Sequence, residues 1–321
     1  MKSAGKFAQT CRMRGVSLVE VMVTVAIGLV ITLGVVGVVG VNQQNLRITE
    51  SLSESQENAR MAFELIARDV RQARDTGCGP VASTGVTDLD ATWWGNWFPI
   101  RGFAGTTAAP AVTTGTGIGQ RVSSTEALQL QGTAEAVAIS NFPAQNKVTL
   151  KTSTHSLTTG TIVICDMDNA SLHNVTAFSG ADVTFTPNIV ISDPDNPQFQ
   201  AAQYTAVTWY IGNNGRAAEG GRSLYRVRRT PAGTTVTEEI LPGVVDMSIR
   251  YHRVGQADFD TTMPASEVDG DVINAIELTL VTESTQSSVA TDAATADSEL
   301  VGSDGRLRRT LTHVIAIRNT L

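Results

Sequence analysis

Arg14-Gly15-Val16-Ser17-Leu18-Val19-Glu20 is the stretch on which the reading of this 321-residue chain turns. It stands where a basic leader, MKSAGKFAQTCRMRG, meets an apolar run from Val16 to Val41 that holds a single acid, Glu20. A carboxylate inside a membrane segment is costly enough to mark a functional site by default. At about 1.5 Å per residue the run reaches roughly 39 Å, beyond the ~30 Å hydrocarbon core of a bilayer. An ordinary signal peptide has a shorter apolar region, roughly 7 to 15 residues, and a small-x-small cleavage site. Here that site would be Val38-Val39-Gly40. A plain signal anchor accounts for the length, and Lys2, Lys6, Arg12 and Arg14 supply the acid-free basic flank of the positive-inside rule. Neither alternative explains Glu20.

The pattern from Arg14 to Glu20 resembles the N-terminal signal of type IV pilins and pseudopilins. The resemblance implies that a prepilin peptidase cuts between Gly15 and Val16 on the cytoplasmic face, that the new N-terminus at Val16 is methylated, and that Glu20 serves assembly. Phe is the usual first mature residue in that family, so Val16 is a departure that bears on methylation more than on cleavage. Further along, Glu64-Leu-Ile-Ala-Arg-Asp69-Val-Arg-Gln-Ala-Arg74 followed by Gly77-Cys78 looks like the helix exit of PilW-type minor pilins. Gly160-Thr-Ile-Val-Ile-Cys165-Asp166 and Leu311-Thr-His-Val-Ile-Ala-Ile-Arg318-Asn319 are similar to the same family. The J-type minor pseudopilin of type II secretion shares the helix exit and an Arg-Asn-like end, but is usually shorter.

The fold so implied is α+β, with a long N-terminal helix packed on a large antiparallel β-rich domain. Residues 1–15 would be the removed leader, 16–41 the transmembrane and filament-core helix, 42–76 its amphipathic continuation and 77–321 a periplasmic head. The implied function is that of a minor pilin, a non-enzymatic subunit that primes or supports pilus assembly. The expected partners are other minor pilins, the major pilin, prepilin peptidase and the inner-membrane assembly machinery. The chain would sit in the bacterial inner membrane as a single-pass protein and then enter the pilus.

The residues themselves carry much of this. Gly28, Gly34, Gly37 and Gly40 interrupt the apolar run, and glycine costs up to about 1 kcal/mol in a helix interior. They read either as close-packing positions between membrane helices or as a segment that melts inside a filament. From Asn42 the sequence turns polar but keeps helical spacing, with Leu46, Leu52, Ala59, Ala62, Phe63, Ile66, Val70 and Ala73 forming a narrow apolar stripe. Arg60/Glu64 and Glu64/Arg68 are spaced for i,i+4 pairs on the opposite face. Gly77-Cys78-Gly79-Pro80 is the expected helix stop.

Beyond Pro80 the helical period disappears. Val81 to Ser124 reads as a long irregular excursion, and strands are expected at Ala127–Leu130, Lys147–Leu150, Thr161–Cys165, Val183–Thr186, Ala206–Ile211, Leu224–Arg229, Val236–Ile240, Val244–Arg253, Ile273–Val281 and Thr310–Arg318. The clearest alternates Val245, Met247, Ile249 and Tyr251 with Asp246, Ser248, Arg250 and His252, the signature of half-buried antiparallel sheet. Ser284 to Asp304, rich in Ala, Ser, Thr and Asp, reads as a loop before the last strand.

Charge and cysteines narrow the function classes. The formal charge is −7, and removing the four basic groups of the leader gives −7 − 4 = −11, which excludes nucleic-acid binding by bulk electrostatics. Cys11 would leave with the leader, so Cys78 and Cys165 remain as an even pair, expected to be bridged in an oxidising periplasm. Two buried free thiols are the alternative. His155, His173, His252 and His313 are scattered, and no H-E-x-x-H, G-x-S-x-G, Walker loop or C-x-x-C occurs. Gly115-Thr-Gly117-Ile-Gly119 lacks dinucleotide-loop spacing. No cofactor is expected, although the acid clusters Asp166-Met-Asp168-Asn169, Asp193-Pro-Asp195-Asn196, Asp258-Phe-Asp260 and Asp269-Gly-Asp271 place oxygens as calcium loops do. Solvated turns explain them equally well, and Asp193, Asp195 and Asn196 are the first calcium candidates. A further alternative is a signal-anchored periplasmic binding protein or adhesin that uses Trp93-Trp94-Gly95-Asn96-Trp97-Phe98 as a ligand surface.

Overall fold

The apolar and amphipathic segments form one helix. The computed structural model describes residues 15–79, 86–87, 97–166, 169–189, 198–262, 272–287, 301 and 304–317. Helix α1 spans Leu18–Gln72 without a break at any of its glycines. The chain divides after Glu50 into two units. In the first, residues 15–43 are all exposed, and each large apolar side chain from Val16 to Val41 shows between 47% and 76% of its surface. This length of helix is apolar and long enough to cross a bilayer.

The second unit begins with the rest of α1, whose Ala59, Ala62, Ile66, Ala67 and Val70 are buried. Thirteen strands follow among the described residues. They are β1 (Val86–Thr87), β2 (Ile100–Phe103), β3 (Ala127–Ala144), β4 (Lys147–Leu150), β5 (Gly160–Cys165), β6 (Ala170–Ser179) and β7 (Asp182–Thr186). After them come β8 (Gln200–Asn213), β9 (Arg222–Arg229), β10 (Thr235–Pro242), β11 (Val244–Arg253), β12 (Ile273–Glu283) and β13 (Arg308–Ala316).

The long strand β3 organises the first sheet. Its first two thirds, Ala127 to Ala138, pair with β8, and its end, Ile139 to Ala144, pairs with β4. Pairing therefore runs from β3 through β8, β5, β6, β7 and β4 back to β3, a circuit of six strands that closes on itself. One apolar cluster draws on all six, including Ile139, Val148, Ile164, Val175, Phe185 and Ala201. A closed circuit leaves these strands without a free edge at their centres. Outside it, β2 adds to β3, β9 adds to β8, and β10 adds to β9.

A separate three-stranded sheet, β11-β12-β13, supplies the second layer. Val245, Met247, Ile249 and Tyr251 are buried as their alternation predicts, and Ile276, Leu278 and Leu280 of β12 continue the same face. Ala62, Ile66, Val70 and Ala73 share one core with this face and with Leu128, Trp209, Ile211 and Leu224 of β3, β8 and β9. Burying each Ile or Val of this stripe contributes about 1.5–3 kcal/mol.

Several expectations are corrected. The amphipathic helix ends at Gln72 rather than at residue 76, because Ala73 bridges Gly132 and the Arg74 N–H donates to the Gln131 carbonyl at 2.9 Å. Arg74 turns the chain with a φ of 70°, and glycine at 132 is required because a Cβ there would lie 2.5 Å from the Gln72 carbonyl oxygen. Leu46 is exposed rather than part of the buried stripe. The stretch from 81 to 124 is not wholly irregular, since it contains β1 and β2. Strand β6 was not expected, and β3 extends 14 residues beyond the four expected at Ala127–Leu130. Within Ser284 to Asp304, residues 288–300 lie outside the described residues.

Candidate functional site: an assembly helix and its anchor

At the start of the described chain, Gly15, Val16 and Ser17 precede α1 in non-helical, exposed conformation. A Cβ built on Gly15 would meet nothing within 4 Å, so this chain's own packing gives no reason for glycine there. Glu20 sits in the first turn of α1, where a carboxylate faces the positive end of the helix dipole. It is exposed and has no hydrogen-bond or ion-pair partner among the described residues. The structure brings Gly15, Val16 and Glu20 together on one short segment, away from the cysteines in sequence and in unit.

The other end of the helix is fastened by polar and covalent ties. Cys78 and Cys165 are bridged, with Cα atoms 5.9 Å apart, so the segment after the helix is joined to β5. Asp69 accepts a 3.1 Å hydrogen bond from Trp209 Nε1, and the Arg226 guanidinium lies 5.4 Å from the Trp209 ring centre. Burial raises the Asp69 carboxyl above the usual carboxylate range, while Arg68, Arg226 and the Trp209 bond act in the opposite direction. Ser55 and Thr282 share a 2.7 Å hydroxyl hydrogen bond between the helix and β12. Sequence reasoning missed Asp69 and Trp209, although an acid within an apolar stripe was the available signal. The expected Arg60–Glu64 pair forms at 3.0 Å on the wet face.

The candidate chemistry elsewhere resolves into structure. Asp193, Asp195 and Asn196 lie outside the described residues, as do Asp168, Asp269 and Asp271. Asp166 accepts from the Asn169 N–H at 2.6 Å, and Asp260 accepts from the Thr262 N–H at 2.9 Å while facing Arg253 at 3.6 Å, so these acids cap turns. No group of three or more His, Cys, Asp or Glu side chains converges among the described residues. Trp97 is buried against Tyr204, and Trp93 and Trp94 lie outside the described residues.

One pair has nucleophile-and-base geometry. Ser171 Oγ lies 2.7 Å from His173 Nε2, and His173 Nδ1 donates to the Pro187 carbonyl at 2.8 Å. His173 is only 2% exposed, beside the Phe185 ring, and burial pushes its imidazole down to about 4. A ring held neutral and shut away from solvent packs the strand circuit; it does not present a base to a substrate.

Comparison with known families agrees with both ends of the molecule. A model of the prokaryotic N-terminal methylation motif matches residues 11–36, which contain Gly15, Val16 and Glu20. A model of the type IV pilus-assembly protein W matches residues 208–319, from the second half of β8 through β13. Neither a curated protein nor a solved structure matches the chain. A methylation motif on an exposed apolar helix that continues into a β-rich head is the arrangement of type IV pilin-like proteins, which this chain resembles. The C-terminal part, 112 of the 321 residues, is similar to the PilW type.

Proposed function

We propose that this chain is a minor pilin of the type IV pilus, cleaved between Gly15 and Val16 by prepilin peptidase, methylated at Val16, and held in the inner membrane by residues 16–41 with residues 77–321 as a periplasmic head. The observation that carries this reading is the divided helix: its first half exposes every apolar side chain and the unpartnered Glu20, while its second half is locked into the head. A buried charge in hydrocarbon needs a counter-charge. The α-amino group created at Val16 of an adjoining subunit supplies one, which makes Glu20 a register device during insertion. Glycine at 15, which the chain's own packing does not require, then answers to the peptidase.

The subunit acts at initiation rather than as bulk fibre. Beyond the layers that grip the helix, its head carries the six-strand circuit, and repeating that bulk at every position of a tightly wound fibre is sterically costly. A priming or tip complex has no such limit, and its other members are minor pilins with the major pilin below. Quantitative mass spectrometry of sheared pili tests this: the chain should be rare relative to the major pilin, and parity would refute it. Deletion should abolish pili and leave protein secretion intact. A Gly15→Leu variant should accumulate only as precursor, and N-terminal sequencing that begins at Met1 in the wild type would overturn the cleavage.

A further inference from the structure

The second sheet has an edge that lacks the usual defences. Strand β13 pairs with β12 on one side over nine unbroken register positions, Arg308 to Ala316, and with no strand on the other side among the described residues. Ile317 N–H donates to the Asn274 carbonyl and Ser284 N–H to the Leu307 carbonyl, so odd-numbered residues of β13 face β12. Antiparallel alternation then turns the main-chain groups of Thr310, Thr312, Val314 and Ala316 outward. Exposed edges are normally blunted by proline, lysine, bulges or shortness. Strand β10 has a register break after Glu239 and ends in Pro242, β11 is broken near both ends, and β2 is four residues long. Strand β13 has no proline, lysine or bulge and is nine residues long; its only charged side chains, Arg308 and Arg309, stand at its first two positions.

Beside this edge runs a groove of about 650 Å³ between β13 and the outer face of α1. Phe63 and Leu311 give it apolar walls, and His313 lies 5.6 Å from Phe63, ring centre to ring centre. Of its cations, Arg60 is paired with Glu64, while Arg71 and Arg309 have no carboxylate partner among the described residues. Basic charge without a partner, on a chain of net charge −7, points to an acidic occupant.

We infer that this groove receives an extended acidic segment of another pilin subunit, which adds to β13 as a fourth strand. The inference rests on the minor-pilin reading above and names the surface through which that subunit docks. Main-chain hydrogen bonds to Thr310, Thr312 and Val314 would supply affinity; alternate side chains would supply specificity, apolar ones against Phe63 and Leu311, acids toward Arg71 and Arg309.

The test uses the full chain in piliated cells, with photoreactive benzoylphenylalanine placed at His313. Irradiation should link the groove to an acidic, extended peptide of another pilin, identified by mass spectrometry; links confined to this chain, or none to any pilin, would overturn the inference. Thr312→Pro removes an outward N–H and leaves the main-chain ladder to β12 intact, losing there only the 2.9 Å hydroxyl bond to Thr279, and should lower the cross-link yield by about tenfold or more. Should that variant fail to accumulate, Arg71→Glu with Arg309→Glu must give the same loss while retaining the Cys78–Cys165 bond. If deletion abolishes pili yet these variants cross-link and assemble normally, the groove is not the docking surface and the minor-pilin reading survives. If deletion leaves pili unchanged, both fall.

Discussion

Residues 18–50 and 51–72 belong to one helix, yet they bury their apolar side chains in different ways. In the first stretch valines, leucines and isoleucines face outward on all sides, and every residue from 15 to 43 is exposed. In the second the apolar residues contract to a stripe, and Ala62, Ile66 and Val70 lose all contact with solvent. A helix apolar all round needs lipid or other helices, whereas a one-sided helix needs a sheet. The second half is thus completed by the head, while the first needs lipid or other helices beyond this chain's own packing, so substitutions in the two halves should fail in different assays.

The largest expected effect lies in the first half. Glu20→Ala should leave cleavage and head stability unchanged but reduce incorporation into pili by about tenfold or more, since on the proposed function it deletes a charge whose partner is the α-amino group of another subunit. Normal incorporation of the variant would break the contrast at its root. Next in size is the tie behind the second half. The bridge between Cys78 and Cys165 closes a loop with a sequence separation of 87, worth roughly 4 to 5 kcal/mol in the chain-entropy account. Replacing both cysteines by serine should lower the head's unfolding free energy by that order in denaturant titrations, and a loss below about 1 kcal/mol would show that the packing of α1 suffices.

How far the sequence reveals this division depends on periodicity. Val16 to Val41 needs no periodicity, because an unbroken apolar run with one acid is legible as it stands. Strand β11 is legible because its alternation is unbroken from Val245 to His252. Strand β6 was missed because its register shifts between Val175 and Ala177, which puts Val175 and Phe178 three apart instead of two. The second half of β3 was missed because Ala134 to Ala138 has little β preference and its register shifts after Thr133. Local chemistry points to Gly77 and Gly79 as the helix stop. A backbone bridge from Ala73 to Gly132 ends it earlier, and a partner 59 residues away leaves no local mark. Gly15, Val16, Glu20 and the cysteine pair stood out in the sequence, whereas the Asp69–Trp209 bond joins residues 140 apart and had to be seen.

A paired substitution sharpens the comparison at the level of packing. Ile66→Ala, at a site with no exposure, should cost about 2–5 kcal/mol of head stability. Val30→Ala, at a site 70% exposed in the isolated chain, should leave the head's unfolding curve unchanged. Tryptophan fluorescence during denaturation of detergent-solubilised protein would follow both. Equal losses would mean that the two halves of α1 are not independent after all.

The smallest effect concerns pH and belongs to the head alone. His173 has its folded-state value pushed from the usual 6.5 down to about 4, chiefly by burial, with the Pro187 carbonyl opposing the shift. The unfolded chain therefore binds a proton between those two values that the folded chain refuses. Stability is unaffected above 6.5, falls as the pH drops through that window, and levels off below about 4, with a total loss on the order of 3 kcal/mol. The partly exposed carboxylates of Asp182, Glu238 and Glu239, held below their usual range by Lys147, Arg226 and Arg216, also lose their partners on acidification. They do so in wild type and variant alike, so they cancel in a difference. His173→Gln keeps a donor and an acceptor but cannot titrate. The gap in unfolding free energy between wild type and this variant should shift in the variant's favour as the pH falls from 7 to 4. A gap that stays constant would show that the imidazole reaches solvent and that the strand circuit opens around it.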